Sequence, residues 1–116
     1  MDQMVSRTLA ERRDGDESRS WALWSVFEQY NKPLIAAVSG YAIGGGWALA
    51  LYCDIIIADK TAKFALTEIE LGLSSPHASL FLTRMIGRAR AAEIIYSGRM
   101  LTAEEVHSMG GLSRYA

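Results

Sequence analysis

The most constraining feature of the sequence is an uncharged stretch from Pro33 to Cys53, in which a glycine triplet separates two apolar runs. The first run has the composition of a strand, and the second is long enough for a buried helix that opens at Gly44–Gly46. Three glycines let another molecule approach the backbone closely. The first amides of a helix have no intrahelical acceptor and carry about half a positive charge. The stretch therefore predicts a site for developing negative charge, and an oxyanion hole is our working hypothesis.

Composition excludes several other classes of protein. The chain has 116 residues, half of them apolar, which is enough for one core, and its 12 basic and 13 acidic residues are interspersed, which argues against nucleic acid and acidic membrane partners. The lone Cys53 excludes an internal disulfide, and the two histidines are too far apart to form a zinc site with it. We expect a reducing, cytoplasmic location without a signal peptide. Gly40 and the triplet interrupt the uncharged stretch, which argues against a membrane span.

The rest of the pattern alternates helices with strands and predicts an α/β layered core. Residues 1–20 are polar and fit either a solvated helix or a mobile loop. Residues 20–30 carry Trp21, Leu23, Trp24 and Phe27 at helical spacing, and this stripe is typical of packing. The run Asp54–Ala58 is continuously apolar after its first residue, which predicts a strand buried on both faces.

Later elements have clear local signals. A short strand over Lys63–Leu66 is followed by Thr67, Glu68, Ile69 and Glu70, and Ser75 with Pro76 fits the start of a helix over Ala78–Ile86. Gly87 separates this helix from the next, Arg88–Tyr96, which Gly98 closes. Thr102 and Glu105 have the spacing of a capping box for a last helix that ends at Gly110 and Gly111.

Several of these segments together resemble the crotonase superfamily, also called the enoyl-CoA hydratase/isomerase family. The matching runs are KPLIAAVSGYAIGGG, CDIIIAD, AKFALTEIELGL, IGRARAAEIIYSG and LTAEE with the later MGGL, which span residues 32–112. The resemblance implies a crotonase-like α/β spiral of strand-strand-helix units that is incomplete at both ends here, with residues 1–31 as an N-terminal helical segment. It also implies an acyl-CoA substrate, no metal or separate cofactor, and assembly into trimers or dimers of trimers.

The resemblance assigns roles to individual residues. The backbone amide of Gly45, the middle glycine of the triplet, would be one donor to the thioester oxygen, and Glu68 would be the acid/base carboxylate. Such a base needs apolar surroundings that raise its pKa, and these could be supplied by Phe64, Leu66, Ile69 and Leu73. Hydratases of the family have a second glutamate at the position of Ala48, and alanine cannot transfer a proton. A single carboxylate still suffices to move a proton from one carbon to another, which is the isomerase pattern. Other members of the family with a single glutamate cleave or hydrate aromatic acyl-CoAs, so the resemblance implies an isomerase- or hydratase-type enzyme. The implied substrate-binding residues are Gly44, Gly45, Ala48, Thr67, Glu68, Leu73 and Ser75.

Other interpretations stay open at this stage. Without the resemblance, Glu68 is an ordinary solvated carboxylate, and the glycine triplet only permits close packing of strand and helix. The loop that supplies the family's second oxyanion donor does not occur in these residues, so we expect a piece of a longer protein or a truncated product. The alternative function is a catalytically inactive relative or fragment, which binds coenzyme A weakly or serves only oligomer packing.

Overall fold

The computed structural model describes residues 22–116, which belong to two units, Met1–Lys32 and Pro33–Ala116. In the first unit residues 22–29 form helix α1. Trp24 is buried, and its ring centroid lies 6.1 Å from that of Phe27, as expected for packing residues. Leu23, from the same predicted stripe, is exposed. Trp21 and the polar segment 1–20 lie outside the described residues.

The second unit alternates short strands with helices, which confirms the predicted α/β class. Its first half consists of β1 (Ile35–Val38), β2 (Tyr41–Ile43), α2 (Gly45–Tyr52), β3 (Ile55–Ala58), β4 (Lys63–Ala65) and a 3₁₀ turn (Glu68–Leu71). Its second half consists of α3 (Pro76–Ile86), α4 (Arg88–Ser97), β5 (Leu101–Thr102), α5 (Ala103–Ser108) and β6 (Arg114–Tyr115).

The strands are divided between two sheets. One sheet has the order β1-β3-β6 and is parallel throughout; the other has the order β2-β4-β5, in which β2 and β4 are parallel and β5 is antiparallel. Successive strands β1 and β2 enter different sheets, and so do β3 and β4. Each strand-strand-helix unit therefore adds one strand to each sheet. As a result, β2 and β4 are neighbours in one sheet and end side by side.

The structure contains one strand that was not predicted and overturns one prediction. Strand β2, between Gly40 and the glycine triplet, was not predicted, because three residues are too short for a periodic pattern. The prediction that the Asp54–Ala58 strand is buried on both faces is wrong for this chain. Its side chains alternate, since Ile55 is 39% exposed while Ile56 is 1% exposed. A continuous apolar run is compatible with a strand whether or not its second face is covered, so composition alone did not determine burial.

The helix ends follow the local signals closely. The capping box of α5 is formed, with Thr102 Oγ1 accepting from the Glu105 amide at 3.1 Å and Glu105 Oε2 accepting from the Thr102 amide at 2.8 Å. Helix α4 closes at Gly98 in the left-handed conformation. Ser75 and Pro76 occupy the predicted positions at the start of α3, although the Ser75 side chain makes no capping hydrogen bond. Residues 22–116 include no helix with the length and hydropathy of a membrane span.

Candidate active site

The candidate site lies where two neighbouring parallel strands end. Strands β2 and β4 pair in register from Tyr41 with Lys63 to Ile43 with Ala65. The Gly44 amide then donates to the Ala65 carbonyl at 2.8 Å and continues the pairing by one residue. Beyond this point β2 leads into α2, and β4 leads into the turn that begins at Glu68. Because carboxyl ends of parallel strands share one edge of a sheet, Gly44 and Glu68 emerge at the same edge.

Helix α2 presents backbone donors at this edge. Its first intrahelical hydrogen bond runs from the Ala48 amide to the Gly44 carbonyl at 3.0 Å, so the amides of Gly45 and Gly46 have no acceptor one turn back. No side chain caps this end of the helix. Gly45 and Gly46 are exposed, and a Cβ placed on either would meet no atom within 4 Å. The helix therefore offers an accessible, partly positive surface without steric cover.

The Glu68 carboxylate lies against Gly44. A Cβ built on Gly44 would be 3.3 Å from Glu68 Oε1, 3.7 Å from its carboxyl carbon and 3.9 Å from Oε2. Glu68 Oε2 is buried and has no hydrogen-bond partner within the described residues. The turn that carries it is held by the hydrogen bond from the Leu73 amide to the Glu68 carbonyl at 3.0 Å, and Gly72 closes it in the left-handed conformation. A carboxylate is thus brought to the head of α2.

The apolar surroundings expected for this carboxylate are present only in part. Phe64 and Leu66, on and just after β4, are buried. Ile69 was expected to join them, but it is 45% exposed, because the chain enters a 3₁₀ turn instead of continuing as a strand. Leu73 is half-buried and follows the turn.

The remaining predicted substrate-binding residues have different environments. Ala48 is 2% exposed and lies one helical turn after Gly44, on the same side of α2. Thr67 is half-buried and directly precedes Glu68, and Ser75 is half-buried at the start of α3. The roles assigned to these residues, to Gly45 and to Glu68 stay predictions.

One polar group near the site had no sequence signal. The indole nitrogen of Trp47 is buried and, within residues 22–116, lacks a hydrogen-bond partner, and the ring packs against Phe64 at a centroid distance of 5.4 Å. An unpaired buried donor costs roughly 1–3 kcal/mol. The sequence showed only a tryptophan in an apolar run, which predicts packing and does not reveal an unpaired N–H.

Two other ionisable groups near the site in sequence, Glu70 and Cys53, have separate surroundings. Glu70 is exposed, and its Oε1 lies 3.7 Å from the position of a Cβ on Gly98, at the end of α4. Burial, and then the charge of Asp54, raises the pKa of the Cys53 thiol, which keeps it protonated at neutral pH. The part of the chain that the structure describes contains no cluster of three or more potential metal ligands. The expectation that no metal or separate cofactor is needed stays a prediction.

Comparison with known proteins identifies the family. The family model for enoyl-CoA hydratase/isomerase matches residues 1–115. A probable enoyl-CoA hydratase of Mycobacterium leprae is 42% identical over 113 residues, which are 97% of this chain and 43% of that protein. The 2,3-dehydroadipyl-CoA hydratase of Escherichia coli is 41% identical over 92 residues, 78% of this chain and 36% of that protein. The chain therefore belongs to the enoyl-CoA hydratase/isomerase family, and it spans less than half the length of these relatives.

Solved structures agree with this assignment. The enoyl-CoA hydratase/isomerase of Cupriavidus metallidurans superposes with a TM-score of 0.83 at 32% identity, covering 99% of this chain and 43% of that one. An enoyl-CoA hydratase of Thermobifida fusca, described as putative and solved in complex with acetoacetyl-CoA, gives a TM-score of 0.67 at 38% identity, covering 70% of this chain and 32% of that one. The predicted crotonase-like fold, present in part, is thereby confirmed.

Proposed function

We propose that the protein stabilises the enolate of an acyl-CoA thioester and moves a proton between two carbons of the acyl group, as an enoyl-CoA isomerase does. The Gly45 amide is the donor to the thioester oxygen, and Glu68 is the acid/base. The observation that carries the proposal is the contact of the Glu68 carboxylate with Gly44, next to the open donors of α2. The acyl-CoA substrate is supported by the Thermobifida fusca relative, which is described as a complex with acetoacetyl-CoA.

The chemistry follows from these two groups. Removing a proton from the carbon next to the thioester sends an electron pair to the thioester oxygen, which becomes an anion. A donor fixed at the head of α2 would stabilise that anion without reorganising, by roughly 3–4 kcal/mol in comparable sites. Glu68 accepts the proton from C2 and returns it to C4, the far end of the original double bond between C3 and C4. As C4 takes the proton, the electron pair returns from the oxygen, the double bond then lies between C2 and C3, and Glu68 ends the cycle as it began.

The alanine at position 48 favours isomerisation over hydration. Adding water requires one group to deprotonate the water and a proton to be delivered to carbon. Ala48, at the position of the other family glutamate, can do neither, and its methyl group is buried. Glu70 is exposed and directed toward the end of α4, so it does not replace the missing group.

Glu68→Gln tests the acid/base role. Gln has nearly the same size and cannot accept the proton, so isomerisation of a 3-enoyl-CoA should fall by about 10²–10⁴-fold, the usual contribution of a positioned acid/base. Glu70→Gln is the matched control, since it removes an exposed carboxylate from the same turn and should leave turnover unchanged. Conversion is followed by the absorbance of the conjugated 2-enoyl product. Equal turnover in the two variants would refute the role of Glu68.

Gly45→Pro tests the oxyanion donor. Gly45 is the first residue of α2, where proline fits a helix while removing the amide hydrogen. Gly44, which precedes it, has a ψ of −120°, outside the α region that a following proline disfavours. We expect kcat to fall by about 10²–10³-fold. Gly45→Ala keeps the amide, and its Cβ meets nothing within 4 Å, so it should retain activity. Similar losses in both variants would exclude the amide as the cause.

The alternative is a non-catalytic relative or fragment. One observation favours it: Ala48 stands where hydratases of the family have a glutamate. It predicts no turnover of any enoyl-CoA by the 116-residue chain, with coenzyme A binding that is weak or absent in calorimetry. Isomerisation by this chain alone would exclude it. Trimeric assembly belongs to the proposal for the longer protein, and light scattering tests it.

A further inference from the structure

Gly44 is fixed in an unusual backbone conformation by hydrogen bonds on both sides. Its amide donates to the Ala65 carbonyl at 2.8 Å, and its carbonyl accepts from the Ala48 amide at 3.0 Å. Its φ of 57° with a ψ of −120° lies in a region that side-chain-bearing residues rarely adopt. The end of β2 and the start of α2 are therefore both tied to this one residue.

The same residue is in contact with the candidate acid/base. The three heavy atoms nearest to a Cβ on Gly44 all belong to the Glu68 carboxylate, and the shortest of these distances, 3.3 Å, leaves less room than an ordinary van der Waals contact. The other two glycines of the triplet differ, since a Cβ on Gly45 or Gly46 meets nothing within 4 Å. The triplet thus has two functions: its first member makes space for a carboxylate, and the following members leave the head of the helix open.

The carboxylate lacks the hydrogen bonds that would otherwise fix its position. Glu68 Oε2 is buried and, among the described residues, has no partner. Buried polar atoms are nearly always paired, so an exception calls for a specific explanation. Here the backbone surface of Gly44 bounds the space in which the carboxylate lies, so its position depends on the absence of a side chain on that surface.

We infer that Gly44 is a positioning residue for proton transfer: its missing side chain sets where the Glu68 carboxylate lies relative to the α2 donors. This inference rests on the proposed function of Glu68. A Cβ at this point would push the carboxylate aside by a few tenths of an ångström. Since a misplacement of about 1 Å at a reacting group can cost about 10²-fold in rate, this smaller shift should cost about 4- to 10-fold. Gly44 itself transfers no proton and donates no hydrogen bond to substrate, because its amide is already bonded to Ala65.

Gly44→Ala tests this inference, with Gly87→Ala as the matched control. Both glycines precede a helix and combine a positive φ with a ψ outside the left-handed helical region: φ is 57° and ψ is −120° for Gly44, and φ is 89° and ψ is 160° for Gly87. Both substitutions therefore impose backbone strain, but a Cβ on Gly87 meets nothing within 4 Å. We expect Gly44→Ala to lower kcat for 3-enoyl-CoA isomerisation by about 4- to 10-fold, with KM changed less than threefold. Gly87→Ala should keep kcat within about threefold of the unaltered chain.

A second measurement does not require turnover. With ¹³C-labelled glutamate, the carboxyl resonance of Glu68 is assigned by its loss in Glu68→Gln. This resonance should move in Gly44→Ala and stay in place in Gly87→Ala, both recorded on protein that retains its circular dichroism spectrum. An unmoved resonance in Gly44→Ala overturns the inference, as does a kcat equal to that of Gly87→Ala. If the unaltered chain has no turnover, the proposed function fails, and the resonance alone then decides the contact between Gly44 and Glu68.

Discussion

Placing a second carboxylate at position 48 tests the geometry of the site most directly. Ala48 follows Gly44 by one helical turn, so their side-chain positions lie on one side of α2, about 5–6 Å apart. Side chains in a helix point toward its N-terminus, so a glutamate at position 48 reaches toward Gly44. The Glu68 carboxyl carbon already lies 3.7 Å from the position of a Gly44 Cβ. Ala48→Glu would therefore bring two carboxylates together at the head of α2.

The cost of this repulsion can be worked out. Two unit charges about 5.5 Å apart interact by about 3 kcal/mol at an effective dielectric constant of about 20. The positive end of α2 offsets about 0.5 kcal/mol of this repulsion, since an acidic residue near the start of a helix is stabilising. Ala48→Gln introduces nearly the same volume into the same buried position without the charge, so steric costs cancel between the two variants. Ala48→Glu should thus be less stable than Ala48→Gln by about 2–3 kcal/mol at pH 8.

Urea unfolding, followed by circular dichroism between pH 8 and pH 4, measures this difference. Repulsion acts only between two charged carboxylates, so the penalty should be present at pH 8 and should shrink as acid protonates either of them. In a Glu68→Gln background the difference between the two variants should disappear. A difference that persists without the Glu68 carboxylate, or one that is absent at pH 8, would show that positions 48 and 68 do not share a site.

Three further predictions concern the second half of the chain. Gly111→Ala should lower the free energy of unfolding by about 1–3 kcal/mol in urea titration, because its Cβ would lie 2.6 Å from Val106 Cγ1. Adding Val106→Ala should relieve part of this loss. If the losses of the two single variants simply add in the double variant, the clash is contradicted. Thr102→Ala should cost about 1 kcal/mol, with Thr102→Ser recovering most of it, as the cap of α5 requires. The hydrogen bond from the Thr102 amide, and then Arg99, lowers the pKa of Glu105. This carboxylate therefore stabilises the folded state at pH values above its unfolded pKa, and the contribution is lost as the pH falls through its folded pKa. Glu105→Gln should flatten the acid side of the stability profile below about pH 4.5, and an unchanged profile would contradict this.

The fold was predictable where its signals are local. The capping box of α5 and the close of α4 at Gly98 depend on residues within one turn of each other, and both form as expected. The short strands β2, β5 and β6 were missed because two or three residues carry no measurable periodicity and owe their existence to partners distant in sequence. The prediction that β3 is buried on both faces was wrong for a related reason, since an apolar run does not show how many faces of its strand are covered.

The site was predictable only with the family pattern. From residue type alone, Glu68 is a polar residue after a short strand, and nothing nearby in sequence connects it with Gly44. Their contact arises from the parallel pairing of β2 with β4, a long-range feature to which neither strand gives a sequence signal. The prediction for Ile69 failed. Its apolar character predicted a place beside the carboxylate, but the residue lies in the 3₁₀ turn and is 45% exposed.

A carboxylate at a helix N-terminus would ordinarily compete with any other anion for the same donors. At this site the competition is reduced, because the Gly44 amide is occupied by the Ala65 carbonyl and the buried Oε2 of Glu68 takes no hydrogen bond from the described residues. The carboxylate lies beside the space that a Gly44 side chain would fill, while the next two amides have no acceptor one turn back. In the proposed mechanism, one end of a short helix would therefore accommodate a base and still stabilise a negative oxygen on the substrate. Both groups would depend on glycine, the base for space and the amide for access.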